Sequence, residues 1–204
     1  LVNEVLDMSR IESGKIALVE EEFNLSELCD NLISMTKAQT DVHHHTFEVH
    51  INKIEHEDVC GDSMRIQQLV MNILSNAVKY TPDGGKIDFT ISEISSSSAE
   101  IGCYQFVVQD NGMGMTEEFR KVLFDPFTRA DDMRTSKIQG TGLGMAIARN
   151  FAQMMNGDIK VESEPEKGSR FTVTIFLKLQ NKKIGAIEEL IDLPVLVVDD
   201  DQDC

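Results

Sequence analysis

The chain has 204 residues, 41% of them hydrophobic, and its 35 acidic and 19 basic side chains give a net charge of −16. This length fits one domain of ordinary size with flanking pieces. Such an acidic surface repels phosphate backbones, which argues against general nucleic-acid binding. No apolar run approaches the ~18 residues of a membrane span. We therefore expect a cytoplasmic fragment without membrane contact, and the sequence leaves open whether its parent protein is membrane-anchored.

The periodicity of apolar residues predicts the secondary structure. In chain order we expect a helix over residues 1–13, a strand over 16–23, a helix over 24–39, a strand over 46–51, a helix over 62–81, a strand over 87–91, a strand over 101–109, a helix over 143–156, and a closing pair of strands over 159–162 and 171–177. The first helix carries Val2, Val5 and Leu6 on one side. Residues 111–142 are only partly periodic and rich in Gly, Asp, Thr and Ser. A segment of this length is too long for a passive connection, so we expect either a functional lid or a disordered loop there.

Possible metal ligands do not form a convincing site. The four cysteines are far apart and include no CxxC pair, which fits reduced thiols better than a zinc site. His43, His44 and His45 precede an alternating strand, where consecutive side chains point to opposite faces. We favour a loop and strand edge there over a metal site.

The helix that contains Asn72 has an unusual polar face. At about 100° per residue, Asn72, Asn76 and Lys79 share one stripe, and Arg65 falls on the same stripe two turns earlier. The opposite side is apolar, as a core-facing helix requires. Amides and cations in place of the usual mixture of Glu and Lys indicate a face turned toward a ligand. The alternative is a solvated face with two chance asparagines.

Glycine-rich segments downstream favour the ligand. DNGMGM (110–115) follows a strand, where Gly112 and Gly114 allow the backbone to approach a flat ligand closely and Asp110 can accept a hydrogen bond from an exocyclic amine. GTGLGMAI (140–147) opens a helix, and its free N–H groups suit a polyphosphate. GSRFTV (168–173) begins a strand.

Together these segments resemble the catalytic ATP-binding domain of the sensor histidine kinases, within the wider family that includes the gyrase, Hsp90 and MutL ATPases. The resemblance runs from about residue 23 to 179. The N box corresponds to Asn72–Tyr80, the first glycine box to 110–115, the F box to FDPFTR (124–129), the second glycine box to 140–147 and the third to 168–171. It implies the Bergerat ATP-binding fold, a two-layer α/β sandwich whose mixed, mostly antiparallel sheet carries helices on one face.

The resemblance also implies roles for single residues. Asn76 would bind Mg²⁺ through its amide oxygen, and the catalytic set would be Asn72, Lys79 and Arg129, all near the phosphates. Phe124 and Phe127 would anchor the lid hydrophobically. The expected nucleotide-binding residues are Asn72, Asn76, Lys79, Tyr80, Asp110, Gly112, Gly114, Phe127, Gly140, Thr141, Gly142, Leu143 and Gly144.

The first position of the N box separates kinases from hydrolases in this family. The gyrase-type ATPases place there a glutamate that activates water as a general base. Asn72 cannot take a proton, so we expect the γ-phosphate of ATP to await another nucleophile, with transfer relying on positioning and on charge neutralisation by Mg²⁺, Lys79 and the lid. The alternatives are a hydrolysing ATPase of the same superfamily and a module that binds ATP without transfer.

The expected nucleophile is a histidine on a dimerisation domain. Residues 1–15 resemble the end of its second helix, and the chain starts in mid-pattern without an initiator Met, so we expect an excised fragment that lacks the acceptor. His56 precedes a Glu but lacks the acceptor's flanking sequence. We divide the chain into this helix end, a catalytic domain (16–180), a linker (181–193) and a truncated receiver start (194–204), where Asp199 and Asp200 resemble an acidic Mg²⁺ pair. The parent would be a homodimeric hybrid histidine kinase of a two-component phosphorelay, passing phosphate to a receiver domain.

Overall fold

A computed structural model describes residues 2–96, 98–129 and 140–180 of the chain. The elements are α1 (Val2–Glu12), β1 (Glu21–Asn24), α2 (Leu25–Val42), β2 (Thr46–Ile51), β3 (Asp58–Gly61), α3 (Ser63–Tyr80), β4 (Lys86–Ile94), β5 (Ile101–Asp110), α4 (Glu117–Val122), α5 (Gly144–Met154), β6 (Asp158–Glu164) and β7 (Gly168–Leu179). The expected linker and receiver strand, with Asp199 and Asp200, lie outside the described residues, as does the middle of the expected lid.

Seven strands form one sheet in the order β1-β3-β7-β5-β4-β2, and β6 pairs with β7 beside this path. Every pairing is antiparallel except that of β2 with β4. That pair is parallel because the chain crosses over between the two strands through β3 and α3. The predicted mixed, mostly antiparallel sheet is confirmed.

The core lies between the sheet and the helices. Alternate residues of β4 are fully buried, and seven residues of α3 face them. α3 also packs against α2 and α5, which completes a layer of helices on one face of the sheet. The caps follow the sequence, since the Asn24 side chain accepts from two N–H groups at the start of α2 and Asp62 accepts from the Arg65 N–H at the start of α3. The two-layer sandwich is confirmed.

Three short or edge elements differ from prediction. The strand expected over 16–23 is confined to β1, because its neighbour β3 offers only four residues for pairing, from Gly61 to Asp58. β3 itself was not predicted, since a strand of four residues with one buried side chain shows no alternation. α4 was also not predicted, because it is one and a half turns inside the expected lid.

α1 buries a face other than the one that carries Val5 and Leu6. Val5 and Leu6 are 46% and 50% exposed, whereas Asp7 and Met8 on another side of the helix are buried. α1 packs against α5, and Met8 joins the main core. Val5 and Leu6 therefore point away from the domain, whereas Ile11 and Met8 pack against the core, with the polar Asp7 beside them at the contact.

Candidate functional site

A cavity of about 520 Å³ opens between α3, the end of β5, α4 and the start of α5. It brings together most of the residues predicted to bind a ligand. These are Asn72, Asn76, Lys79, Tyr80, Asp110, Gly114, Arg129, Gly140, Thr141, Gly142 and Gly144. The stripe on α3 and the glycine-rich segments, far apart in sequence, therefore face the same space.

Three predicted residues lie outside this lining. Gly112 lies behind Asp110, where an added Cβ would be 2.5 Å from the Tyr80 carbonyl oxygen. Leu143 is fully buried at the N-cap position of α5, and its N–H donates to Thr141 Oγ1 at 3.1 Å. Phe127 is 67% exposed with φ +63°, so the expectation that it anchors the lid hydrophobically is wrong. The turn at 125–128 aims its ring outward.

Phe124 is half-buried against the core, as an anchor should be. The guanidinium of Arg149 on α5 lies 4.8 Å from the centroid of its ring. This contact holds the part of the expected lid that contains Phe124 against α5 by a cation–π interaction.

Two amides of α3 face one end of the cavity. Asn72 Nδ2 donates to the Gly144 carbonyl oxygen at 3.0 Å, which fixes the amide and joins α3 to the start of α5. Asn76, one turn later and half-buried, makes no hydrogen bond to a described residue. Its amide oxygen is a hard ligand of the kind that Mg²⁺ accepts.

Two cations and a helix start complete this end, which we call the cationic end: Asn72, Asn76, Lys79, Arg129 and Gly140–Gly144. Burial lowers the pKa of Lys79, the charge of Arg129 lowers it further, and the charge of Glu4 opposes both. α5 begins without a side-chain cap, so its first N–H groups are available to an anion. Gly142 has φ +74°, and an added Cβ would lie 2.7 Å from the Phe127 carbonyl carbon.

Asp110 marks the other end of the cavity. It is 8% exposed, and its Oδ1 accepts from the N–H groups of Gly112 at 2.8 Å and Ser169 at 3.3 Å. Burial raises the pKa of this carboxyl group, and the two N–H groups partly offset the rise. With Oδ1 held by the backbone, Oδ2 is the atom left to accept a hydrogen bond from a ligand.

An apolar wall beside Asp110 was missed by the sequence reasoning. Its members are Met113, Met115, Phe119, Leu123, Met145 and Phe171. Phe119 and Leu123 come from α4 and the residue after it, at the i, i+4 spacing of a helix face, which is the one signal that could have revealed part of the wall. A flat apolar group would be covered here and anchored at its edge by Asp110.

Other candidates from the sequence lie elsewhere. Arg65 shares the stripe of α3 but turns to α1 and α5, with Nη1 3.3 Å from both carboxylate oxygens of Asp7 and its guanidinium 5.0 Å from the Phe151 ring centroid. His43 ends α2 and contacts Asp83 at 2.9 Å. His56 contacts Glu93 at 2.7 Å. The expected loop and strand edge at the histidine run is confirmed.

One group in the described ranges has the spacing of metal ligands, namely Glu48, His50 and Asp88 on the exposed side of β2 and β4. The Lys86 ammonium already lies 3.1 Å from Glu48 and 3.0 Å from Asp88, so a cation occupies this place. None of the helices within 2–96, 98–129 and 140–180 has the length and apolarity to cross a bilayer.

Residues 61–180 match the family described as histidine kinase-, DNA gyrase B-, and HSP90-like ATPase. The chain is 34% identical over 175 residues to hybrid signal transduction histidine kinase B of Dictyostelium discoideum, covering 86% of this chain and 9% of that protein. It is 31% identical over 179 residues to the signal transduction histidine-protein kinase BarA of Escherichia coli, covering 88% of this chain and 19% of that protein. The chain thus spans a fifth or less of these relatives.

Solved structures agree with the fold. Full-length ShkA in complex with AMPPNP has a TM-score of 0.74 at 23% identity, over 88% of this chain and 35% of that one. The catalytic domain of histidine kinase ThkA has a TM-score of 0.63 at 26% identity, over 77% of this chain and 95% of that one.

Proposed function

We propose a function from the premise that this chain belongs to the family of histidine kinase-, DNA gyrase B- and HSP90-like ATPases and is a catalytic ATP-binding domain of the sensor histidine kinase type. In this proposal it binds ATP with Mg²⁺ and transfers the γ-phosphate to a histidine on a dimerisation domain outside this chain. A receiver domain would then take the phosphate. The parent would be a cytoplasmic or membrane-anchored homodimer.

The polarity of the cavity supports ATP as the ligand. A flat base would fit against the apolar wall, where Oδ2 of Asp110 would accept a hydrogen bond from its exocyclic amine. The triphosphate fits the cationic end, where Lys79, Arg129 and the first turn of α5 carry positive charge. Asn76 supports a bound Mg²⁺, because its amide is on the same stripe and is not committed to a described residue.

The single observation that favours transfer over hydrolysis is the hydrogen bond that the Asn72 amide donates to the Gly144 carbonyl. This amide has no basic atom, so it cannot deprotonate a water. The chain's other contributions are then positioning and charge: Lys79 and Arg129 offset the charge that develops on the γ-phosphate, and α5 orients it. Mg²⁺, when bound, would neutralise phosphate oxygens.

The test is incubation of the chain with γ-labelled ATP, alone and with a separate dimerisation fragment that carries its histidine. We expect label on the added fragment, weaker than in a tethered protein because the effective concentration is lost, and none on this chain. Lys79→Gln should abolish labelling, whereas Lys167→Gln, which removes an exposed lysine paired with Glu164, should not.

Three outcomes contradict the proposal. Acid-labile label on this chain alone, at His56 or at His43–His45, would place the acceptor inside the fragment. Rapid release of inorganic phosphate without label on any histidine would make the protein an ATPase. Binding of ATP with neither label nor release would reduce it to a binding module.

A further inference from the structure

The helix α1 is held to the domain by a buried polar contact. Arg65 Nη1 lies 3.3 Å from both oxygens of Asp7, and Gln68 Nε2 donates to Asp7 Oδ2 at 2.9 Å. Arg65 also donates to Gln68 Oε1 at 2.8 Å. We call Asp7, Arg65 and Gln68 the α1 clamp. Because Asp7 and the neighbouring Met8 are both buried, the clamp fixes which face of α1 meets the domain.

One turn before the clamp, the same face of α1 carries Glu4. Residues three apart on a helix lie on one side, so fixing Asp7 also fixes Glu4. The Glu4 side chain is half-buried and lines the cavity together with Lys79 and Arg129. Its charge acts on Lys79 in the direction opposite to Arg129. A carboxylate therefore lies in the cationic end, where the phosphates of a nucleotide would bind.

We propose that Glu4 is an affinity-determining residue of the nucleotide site: its carboxylate opposes a polyphosphate at the cationic end, and the α1 clamp holds it there. Docking of α1 and binding of ATP are then antagonistic. This inference rests on the proposed function, because it needs an anionic ligand. Thermodynamic linkage makes the effect reciprocal. If docking of α1 lowers the affinity for ATP, then bound ATP must lower the equilibrium constant for docking of α1 by the same factor.

Calorimetry on the full chain tests the first half of the proposal. Glu4→Gln keeps the shape of the side chain and removes its charge, so the Kd for ATP should fall about fivefold, at the low end of known coupling factors. Asp7→Asn should lower this Kd in the same direction by weakening the clamp. The Kd for adenosine, which has no phosphate, should not change in either variant.

Glu12→Gln is the matched control. It removes the same charge from the same helix at an exposed position, about 12 Å along the axis from Glu4, which exceeds the ~10 Å screening length of 0.1 M salt. Its Kd for ATP should equal that of the wild type. Amide hydrogen exchange tests the reciprocal half: ATP, but not adenosine, should speed exchange in α1 of the wild type and have less effect in Glu4→Gln.

The outcomes separate this inference from the function beneath it. If the wild type does not bind ATP, the proposed function fails. If the wild type binds ATP and Glu4→Gln binds it with the same affinity, Glu4 has no such role and the function stands. Weaker binding of ATP by Glu4→Gln overturns the inference, since it would make the carboxylate a favourable contact, for example to a bound Mg²⁺.

Discussion

Replacement of Asp110 by asparagine should change the preference of the site from adenine to guanine. The carboxylate oxygen Oδ1 is already used, since it accepts from the Gly112 N–H at 2.8 Å and the Ser169 N–H at 3.3 Å. Asparagine can keep an oxygen at this position. The atom that faces the ligand then changes from an acceptor to an N–H donor, which matches the carbonyl of guanine and opposes the amine of adenine.

The size of the change in ATP affinity follows from the hydrogen bond that Asp110 would lose. A hydrogen bond to a charged group contributes about 1.5–3 kcal/mol, and an unmatched buried group loses a similar amount. Asp110→Asn should therefore lower the affinity for ATP roughly 10- to 100-fold, since each 1.4 kcal/mol of binding free energy is a factor of ten in Kd. Binding of GTP should strengthen. The fold should persist, because the two backbone N–H groups keep an acceptor while the unfavourable burial of charge, which raises the pKa of Asp110, is removed.

Competition calorimetry with ATP and GTP measures both changes. Asp158→Asn provides the control, because it makes the same chemical change at an exposed position outside the cavity. A role of Asp110 in reading the base is refuted if Asp110→Asn melts like the wild type yet binds ATP equally well, or if the wild type does not distinguish ATP from GTP.

Three further predictions concern the same cavity. Asn76→Ala should weaken ATP by about 1–3 kcal/mol in Mg²⁺ and Asn76→Asp far less, as titrations with and without Mg²⁺ would measure; equal affinities in Mg²⁺ for the wild type and Asn76→Ala would exclude a ligand role. Because burial raises the pKa of Asp110, its proton returns at a higher pH than for an ordinary aspartate, so ATP affinity should fall as pH is lowered toward that pKa, and Asp110→Asn should lose this step. Burial and Arg129 lower the pKa of Lys79, so ATP affinity should also fall as pH rises through a value below 10.5, and Lys79→Arg should move this loss to higher pH; an unchanged alkaline limb would exclude Lys79 as the titrating group.

The sequence predicted the elements whose own residues carry a periodic signal. The sequence of α3 contains both the apolar residues of its buried face and the polar residues of its other face. Buried residues alternate along β4, so the local sequence pattern and the buried side agree in both elements. The place of the glycine-rich segments beside the cavity was predicted for a similar reason. Positive φ at Gly114 and Gly142 is a local demand of the backbone that only glycine meets without strain.

What the sequence missed arises from contacts between distant segments. β3 is a strand because β1 and β7 pair with it, and its own four residues carry no pattern. Met113 and Phe171 share one wall although they are far apart in sequence and each would pass for an ordinary core residue. The place of Glu4 depends on which face of α1 docks, and apolar residues stand on both sides of that helix, with Val5 and Leu6 exposed and Met8 and Ile11 on the docked side. Such placements are tertiary and leave little trace in a local window.

The identity of residue 72 joins the packing of the helices to the proposed chemistry. Asn72 Nδ2 donates to the Gly144 carbonyl, so the contact between α3 and α5 at this position uses a side-chain N–H. A glutamate offers only acceptors, and facing a carbonyl oxygen it would be repelled or would move away from α5. The first turn of α5, which in the proposed function would supply N–H groups to the phosphates, would then lose its contact with α3. A glutamate at residue 72 could not keep this hydrogen bond. In the proposed function, the asparagine that joins α3 to α5 would therefore also leave the γ-phosphate without a water-activating group.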